Sequence, residues 1–149
     1  MNDRLKFRVF DIARNEYCDL TREDVLFFIG TNGKLCRCLL YDGGYTALTY
    51  PTNEFFKVEF CTELKDKNSK LIYEGDMFKP DYDNEEESCI VIWDDETASF
   101  KVRCDGHFEQ WNGLYETTVE WSENIELADY LGEEIIGNIH ENPELLEIK

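Results

Sequence analysis

The chain divides its apolar residues into runs of at most five, as at Val25–Ile29, and sets turn-forming residues between them. This spacing is too short for long amphipathic helices and suits strands of about five residues. Residues 5–9 alternate apolar and basic side chains, as a half-buried strand does. Val25–Ile29 and Leu35–Tyr41 flank Asn32-Gly33, a dipeptide that accepts the positive φ of a tight hairpin. Asp42-Gly43-Gly44 turns into a strand over 45–50 that Pro51 ends. Phe56, Val58 and Phe60 alternate with Lys57 and Glu59. The polar tip 65–70 then separates that strand from Leu71–Tyr73, and Gly75-Asp76 breaks the chain before Met77-Phe78.

Further on, 89–93 and 98–104 are strands around the turn Asp94-Asp95-Glu96-Thr97, and the Thr, Val and Trp content of 117–121 predicts another. Ser122 caps a short helix with Ile125, Ala128 and Leu131 on one face, ended by Gly132. Residues 134–140 return to strand. Asn142-Pro143-Glu144 has the cap and first-position Pro of one last helical turn. The expected fold is therefore mainly β, a small barrel or sandwich with one or two short helices, in a single domain of 149 residues.

Charge is unevenly spread. Residues 1–50 carry seven basic and seven acidic side chains, and 51–79 carry five and six. Residues 80–149 carry three against twenty, so 3 − 20 = −17 of the net −18 lies there. These acids are interleaved with Ile90, Ile92, Trp93, Phe100, Val102, Trp111, Val119 and Trp121, which places them on folded elements rather than in a disordered tail. Asp81, Asp83, Glu85, Glu86, Glu87, Asp94, Asp95 and Glu96 are the candidate partner-facing acids. A surface this negative repels duplex DNA and anionic membrane, which argues against direct DNA binding by a basic patch and against a membrane partner. The start, Met1-Asn2-Asp3-Arg4-Leu5-Lys6, has no apolar stretch behind its charges, so the protein is expected to be soluble and cytoplasmic.

Six cysteines, at 18, 36, 38, 61, 89 and 104, are expected to be free thiols in a reducing compartment. Cys36-Arg37-Cys38 and the lone Cys104-x-x-His107 pair lack zinc spacing. Asp81-x-Asp83-x-Glu85 resembles the first half of a calcium loop, but Glu86 stands where Gly is needed and Ile92 where a bidentate Glu is needed. Nucleophile-elbow, zinc-protease, dinucleotide and phosphate-loop motifs are missing, and neither His107 nor His140 has a Cys or Ser at a suggestive spacing. Neither an enzyme nor a cofactor is expected.

Three stretches carry a family likeness: Lys6-Phe7-Arg8-Val9-Phe10-Asp11, then 62–76 (TELKDKNSKLIYEGD), then 135–146 (IIGNIHENPELL). In order, spacing and length the chain resembles the YopX family of phage and prophage proteins. It departs from the family at Glu63, where the family has Gly, and at Asn68-Ser69, where it has Asn-Gly. The resemblance implies a mostly β fold with a small SH3-like barrel, formed from about residue 52 to 149, and an N-terminal β extension over 1–51. It implies no mechanism. The shared residues Gly75, Asp76, Gly137, Asn138, Asn142 and Pro143 are turn and cap types, which favours structural roles.

The leading expectation is a non-enzymatic phage or prophage accessory protein of the bacterial cytoplasm. It would bind a host or phage macromolecule, basic if it docks on 80–149. A sharper form has the acidic segment imitate the phosphate rail of nucleic acid. The alternatives are a small metal-dependent hydrolase or nuclease using Asp81, Asp83 and Glu85 with Glu96 or His107, and a homo-oligomer joined through exposed edge strands.

Overall fold

The computed structural model describes residues 6–41, 44–49, 52–79, 89–103, 108–111, 114–117, 124–127 and 132–146, and the chain is mainly β. In order the strands are β1 (Phe7–Asp11), β2 (Glu16–Tyr17), β3 (Val25–Ile29), β4 (Leu35–Tyr41) and β5 (Gly44–Thr49). A single turn of helix, α1 (Thr52–Phe55), leads into β6 (Phe56–Lys65). There follow β7 (Leu71–Tyr73), β8 (Asp76–Phe78), β9 (Cys89–Asp94), β10 (Ser99–Arg103), β11 (Phe108–Trp111), β12 (Leu114–Thr117), β13 (Asn124–Glu126) and β14 (Ile135–Asn138). A 3-10 turn, Pro143–Leu146, comes last. Two compact units result, Arg8–Glu59 and Phe60–Lys149 together with Met1–Phe7.

In the unit of residues 8–59, β3, β4 and β5 form an antiparallel sheet in that order. Gly33 takes φ +75° in the β3–β4 turn, and the Asn32 side chain accepts the Lys34 N–H at 3.1 Å. That is why Asn-Gly suits this position. Phe27 projects from β3 edge-on to Phe56, with centroids 5.6 Å apart. Elsewhere in the unit β1 pairs with β2, bringing Phe10 edge-on to Tyr17 at 5.2 Å. The Ile12 N–H donates to the Phe55 carbonyl, which sets the register that puts Arg8 opposite Glu59. Glu59 is fully buried. Its Oε2 receives Arg8 Nε at 2.6 Å and the Tyr17 hydroxyl at 2.9 Å, while the guanidinium lies 4.8 Å from the Tyr17 ring centroid. The two donors compensate a carboxylate that would be costly to bury alone, and the Tyr17 ring face favours the guanidinium.

In the other unit the second half of β6 pairs with β7, with a register irregularity between Cys61 and Lys65 where Glu63 takes φ +69°. Four residue steps of β6 there span two of β7, an irregularity that breaks the ladder. Residues 66–70 form the connection: the Asp66 carboxylate, 6% exposed, accepts the N–H groups of Asn68 and Lys70 at 2.9 Å each and that of Ile135 at 3.2 Å. Ser69 takes φ +65° there. The main sheet has the order β13-β10-β9-β8-β14, every neighbour antiparallel, and it curls into a half-barrel compatible with an SH3-like fold.

Alternation builds two apolar layers. Ile72, Phe78, Cys89, Val91, Val102, Leu127 and Ile135 form one, and Met77, Ile90 and Ile139, with Ile92, Ile136 and Leu145 against them, form the other. Strand β8 is buried at every position because it faces both.

The turn and cap residues hold these layers together. Gly75, at φ +84°, donates to the Val91 carbonyl at 2.8 Å and accepts the Ile139 N–H at 3.1 Å. Buried Asp76 accepts the Tyr73 N–H at 2.8 Å. A Cβ on Gly137 would lie 2.5 Å from Asn142 Oδ1, so the close approach of Asn142 requires glycine. Asn138 caps the following turn, its Oδ1 accepting the N–H groups of His140 and Glu141 at 3.0 Å each. Pro143 opens the 3-10 turn.

Two sequence expectations are corrected. The helix expected from Ser122 is replaced at 124–126 by β13, where Ile125 lies opposite Val102 of β10. Burying one side of a short strand against an existing sheet edge outweighs a weak three-residue helical spacing. The six cysteines are not all thiols: Cys89 is disulfide-bonded, while Cys18, Cys36, Cys38 and Cys61 are free. Cys104 lies outside the described residues, as do 118–121 of the strand expected over 117–121.

Candidate functional site

Of the partner-facing acids, Asp81, Asp83, Glu85, Glu86 and Glu87 lie outside the described residues, and so does His107. Asp94, Asp95 and Glu96 are described, at the tip of the β9–β10 hairpin. The register Asp94↔Ser99 leaves a four-residue loop, 95–98, that closes with Ala98 at φ +48°. Such loops are built around a type I turn, and the Asp94 carboxylate reinforces it by accepting the Glu96 N–H at 2.9 Å. Asp94 is half-buried, whereas Asp95 and Glu96 are exposed.

Trp93 stands beside this turn. It is 44% exposed, although an indole ordinarily supplies core area. Its ring is fixed from two sides: Phe100, its cross-strand partner, meets it edge-on at 5.0 Å, and Nε1 donates to Asp95 Oδ1 at 2.9 Å. One edge of the indole is thereby committed, and part of the ring remains open to solvent next to carboxylates. Arg103 sits farther along β10. Burial lowers its pKa, and Asp94 partly offsets that effect. The site can receive a guanidinium or ammonium group, for which carboxylates and an aromatic ring are the two favourable kinds of contact.

The remaining chemistry is scattered. His140 is buried behind the Asn138 cap. Burial, followed by the nearby Asp11 carboxylate, raises the pKa of the Cys18 thiol, which keeps it protonated and a poor nucleophile. Among the described residues no three His, Cys, Asp or Glu side chains are placed to hold a metal ion. No helix among them is long and apolar enough to cross a membrane. The sequence reading missed the buried Arg8–Glu59–Tyr17 cluster. The alternation of Phe56, Val58 and Phe60 with Lys57 and Glu59 pointed the other way: Glu59 is buried and Phe60 is 44% exposed.

Comparison with known proteins places the molecule. The profile described as YopX protein matches residues 6–147. The chain belongs to the YopX family. Among solved structures it is similar to protein yopX from Bacillus subtilis, at 23% identity over 95% of each chain with a TM-score of 0.54. It is also similar to protein EF1440 from Enterococcus faecalis, at 23% identity over 95% of this chain and 97% of that one, TM-score 0.50. These likenesses show a shared YopX fold. Comparison with curated protein sequences finds no match. Gly75, Asp76, Gly137, Asn138, Asn142 and Pro143 line turns and caps of the 60–149 unit and lie apart in sequence from the Trp93 hairpin.

Proposed function

We propose that this YopX-family chain is a non-enzymatic binding module of a phage or prophage, acting in the bacterial cytoplasm, and that it docks a basic protein on the acidic surface of residues 80–149. The β9–β10 hairpin supplies the anchor. The observation that carries this reading is the exposed, doubly fixed indole of Trp93, with Asp95 hydrogen-bonded to it and Asp94 and Glu96 in the same hairpin turn. A side chain already held in its rotamer loses little entropy on contact, so aromatic residues of this kind supply much of the energy of interfaces. The surrounding carboxylates add attraction at long range and select for cations at short range. The other seventeen acids of the segment extend the field without any need for a shaped pocket.

The test is a pull-down from host lysate at low and high salt, followed by binding kinetics with the captured partner. Asp95→Asn with Glu96→Gln should slow association several-fold at low salt and matter little once salt screens the field to a few ångströms. Trp93→Ala should leave association nearly unchanged and speed dissociation by at least tenfold. A partner whose kinetics ignore salt and all three substitutions would refute this reading.

A further inference from the structure

Strand β3 is an edge strand of unusual composition. Among the described residues it pairs with β4 alone and stands at the end of the order β3-β4-β5. Its five residues, Val-Leu-Phe-Phe-Ile, include no charge, no Pro and no bulge. Proteins ordinarily blunt such edges, because a free row of N–H and C=O groups templates further pairing. Three other described edges of this chain are blunted: β2 is two residues long and bears Glu16, β7 is three residues long, and β13 carries Asn124 and Glu126. The exception at β3 extends to its side chains, since Leu26 and Phe28 are 45% and 43% exposed and Leu40 on β4 is 42% exposed.

The register shows which backbone groups are open. Leu40 N–H donates to the Asp24 carbonyl and Gly30 N–H to the Lys34 carbonyl, so the hydrogen-bonded positions toward β4 are the even ones, 24, 26, 28 and 30. The N–H and C=O groups of Val25, Phe27 and Ile29 therefore point away from the sheet. A strand with its open groups at 25, 27 and 29 is complementary to itself. Rotated about a two-fold axis through Phe27, it places Val25 opposite Ile29 and Phe27 opposite its own copy, each pair exchanging both backbone bonds. Leu26 of one chain then meets Phe28 of the other at the close, non-hydrogen-bonded spacing, on the face where both are exposed.

Charge favours the same occupant. Residues 25–41 contain Lys34 and Arg37 and no acid, in a chain of net −18. Two copies repel each other chiefly through residues 80–149, which carry −17 of the charge, and not through this strand pair.

We infer that the protein forms a two-fold symmetric homodimer through β3, joining two three-stranded sheets into one of six. The partner is a second copy of the chain, and the proposal is independent of docking at Trp93. The full-length protein should sediment as a concentration-dependent monomer–dimer equilibrium. Dimerisation should tighten about tenfold between ~0.05 and ~0.5 M salt, because screening weakens the repulsion of two acidic bodies. A basic partner on the acidic surface would show the opposite salt dependence. Leu26→Lys with Phe28→Lys should weaken the dimer by at least about a hundredfold through lost apolar burial and new like-charge contact. Both substitutions reduce the net negative charge, so that loss cannot come from long-range repulsion. Leu26→Thr with Phe28→Thr, which keeps strand propensity, guards against misfolding and should weaken the dimer in the same direction. Hydrogen exchange supplies a readout in the wild-type chain: the amides of Val25, Phe27 and Ile29 should gain protection as concentration rises. A monomer at every concentration and salt, or a dimer that survives both pairs of substitutions with those amides unprotected, would overturn the inference.

Discussion

Asp66 is the residue whose removal should do most damage for its size. Its carboxylate is buried in the 66–70 connection and accepts three backbone N–H groups, two from its own turn and one from Ile135 on β14. Burial pushes its pKa upward, but the hydrogen bonds from Lys70, Ile135 and Asn68 outweigh burial and hold it below the ordinary carboxylate value. In Asp66→Ala the Asn68 and Lys70 amides, in an exposed turn, can recover water. Ile135 is buried and cannot. Charging about 2 kcal/mol for the stranded Ile135 donor and about 0.5 to 1 for each of the others gives a loss of about 3 to 4 kcal/mol.

Asp66→Asn keeps an oxygen for the turn but sets an NH2 against the Ile135 N–H, for a loss of about 2 kcal/mol. Urea denaturation read by tryptophan fluorescence would measure both. The pH dependence follows from the lowered pKa: the contribution is complete above the unfolded value of about 3.9 and is lost as pH falls through the folded value. The gap between wild type and Asp66→Asn should therefore be flat from pH ~5 to ~8 and shrink below pH ~4. A loss under 1 kcal/mol in Asp66→Ala, or a gap that closes toward alkaline pH, would refute this account.

Two further outcomes are expected. Glu63→Gly and Ser69→Gly should each raise stability by about 0.5 kcal/mol, since a left-handed non-Gly residue costs ~1 to 2 and the added chain entropy of Gly takes back ~0.5 to 1. A lower melting temperature in the double variant would contradict this. Thiol titration of denatured, unreduced protein should count four, because a disulfide at Cys89 removes two of six, and reduction should restore six. Six without reductant would contradict the bond.

Much of the architecture was legible because the turns are chemically explicit. Val25–Ile29 and Leu35–Tyr41 form strands with the boundaries that Asn32-Gly33 and the apolar runs suggest. What stayed hidden depended on partners distant in sequence. Strand β13 exists because Val102 and its neighbours offer an edge to Ile125, and a spacing rule applied within 122–132 cannot see that edge. Whether Cys89 bonds depends on which residues the fold brings beside it, whereas compartment and composition speak only for an average cysteine. Strand β2, two residues long, has no periodicity to detect. At the candidate site the acids of the β9–β10 turn were plain, but Trp93 figured only as one of the apolar residues between acids. Asp66 and Asp76, counted among charges, turn out to be buried acceptors for turn amides.

The buried contact of Arg8 with Glu59 acts against wrong structures more than for the right one. Shifting β6 by one residue along β1 would swing Glu59 to the opposite face, away from both Arg8 and the Tyr17 hydroxyl. The native pair is worth little compared with two well-packed apolar residues, but a misaligned pairing leaves an uncompensated charge, at about 3 to 5 kcal/mol. In a chain rich in β segments with similar Phe- and Val-containing patterns, many near-miss alignments bury comparable apolar area. One ion pair gives the nascent sheet a means of error rejection, discarding slipped alignments that hydrophobic contact alone would tolerate.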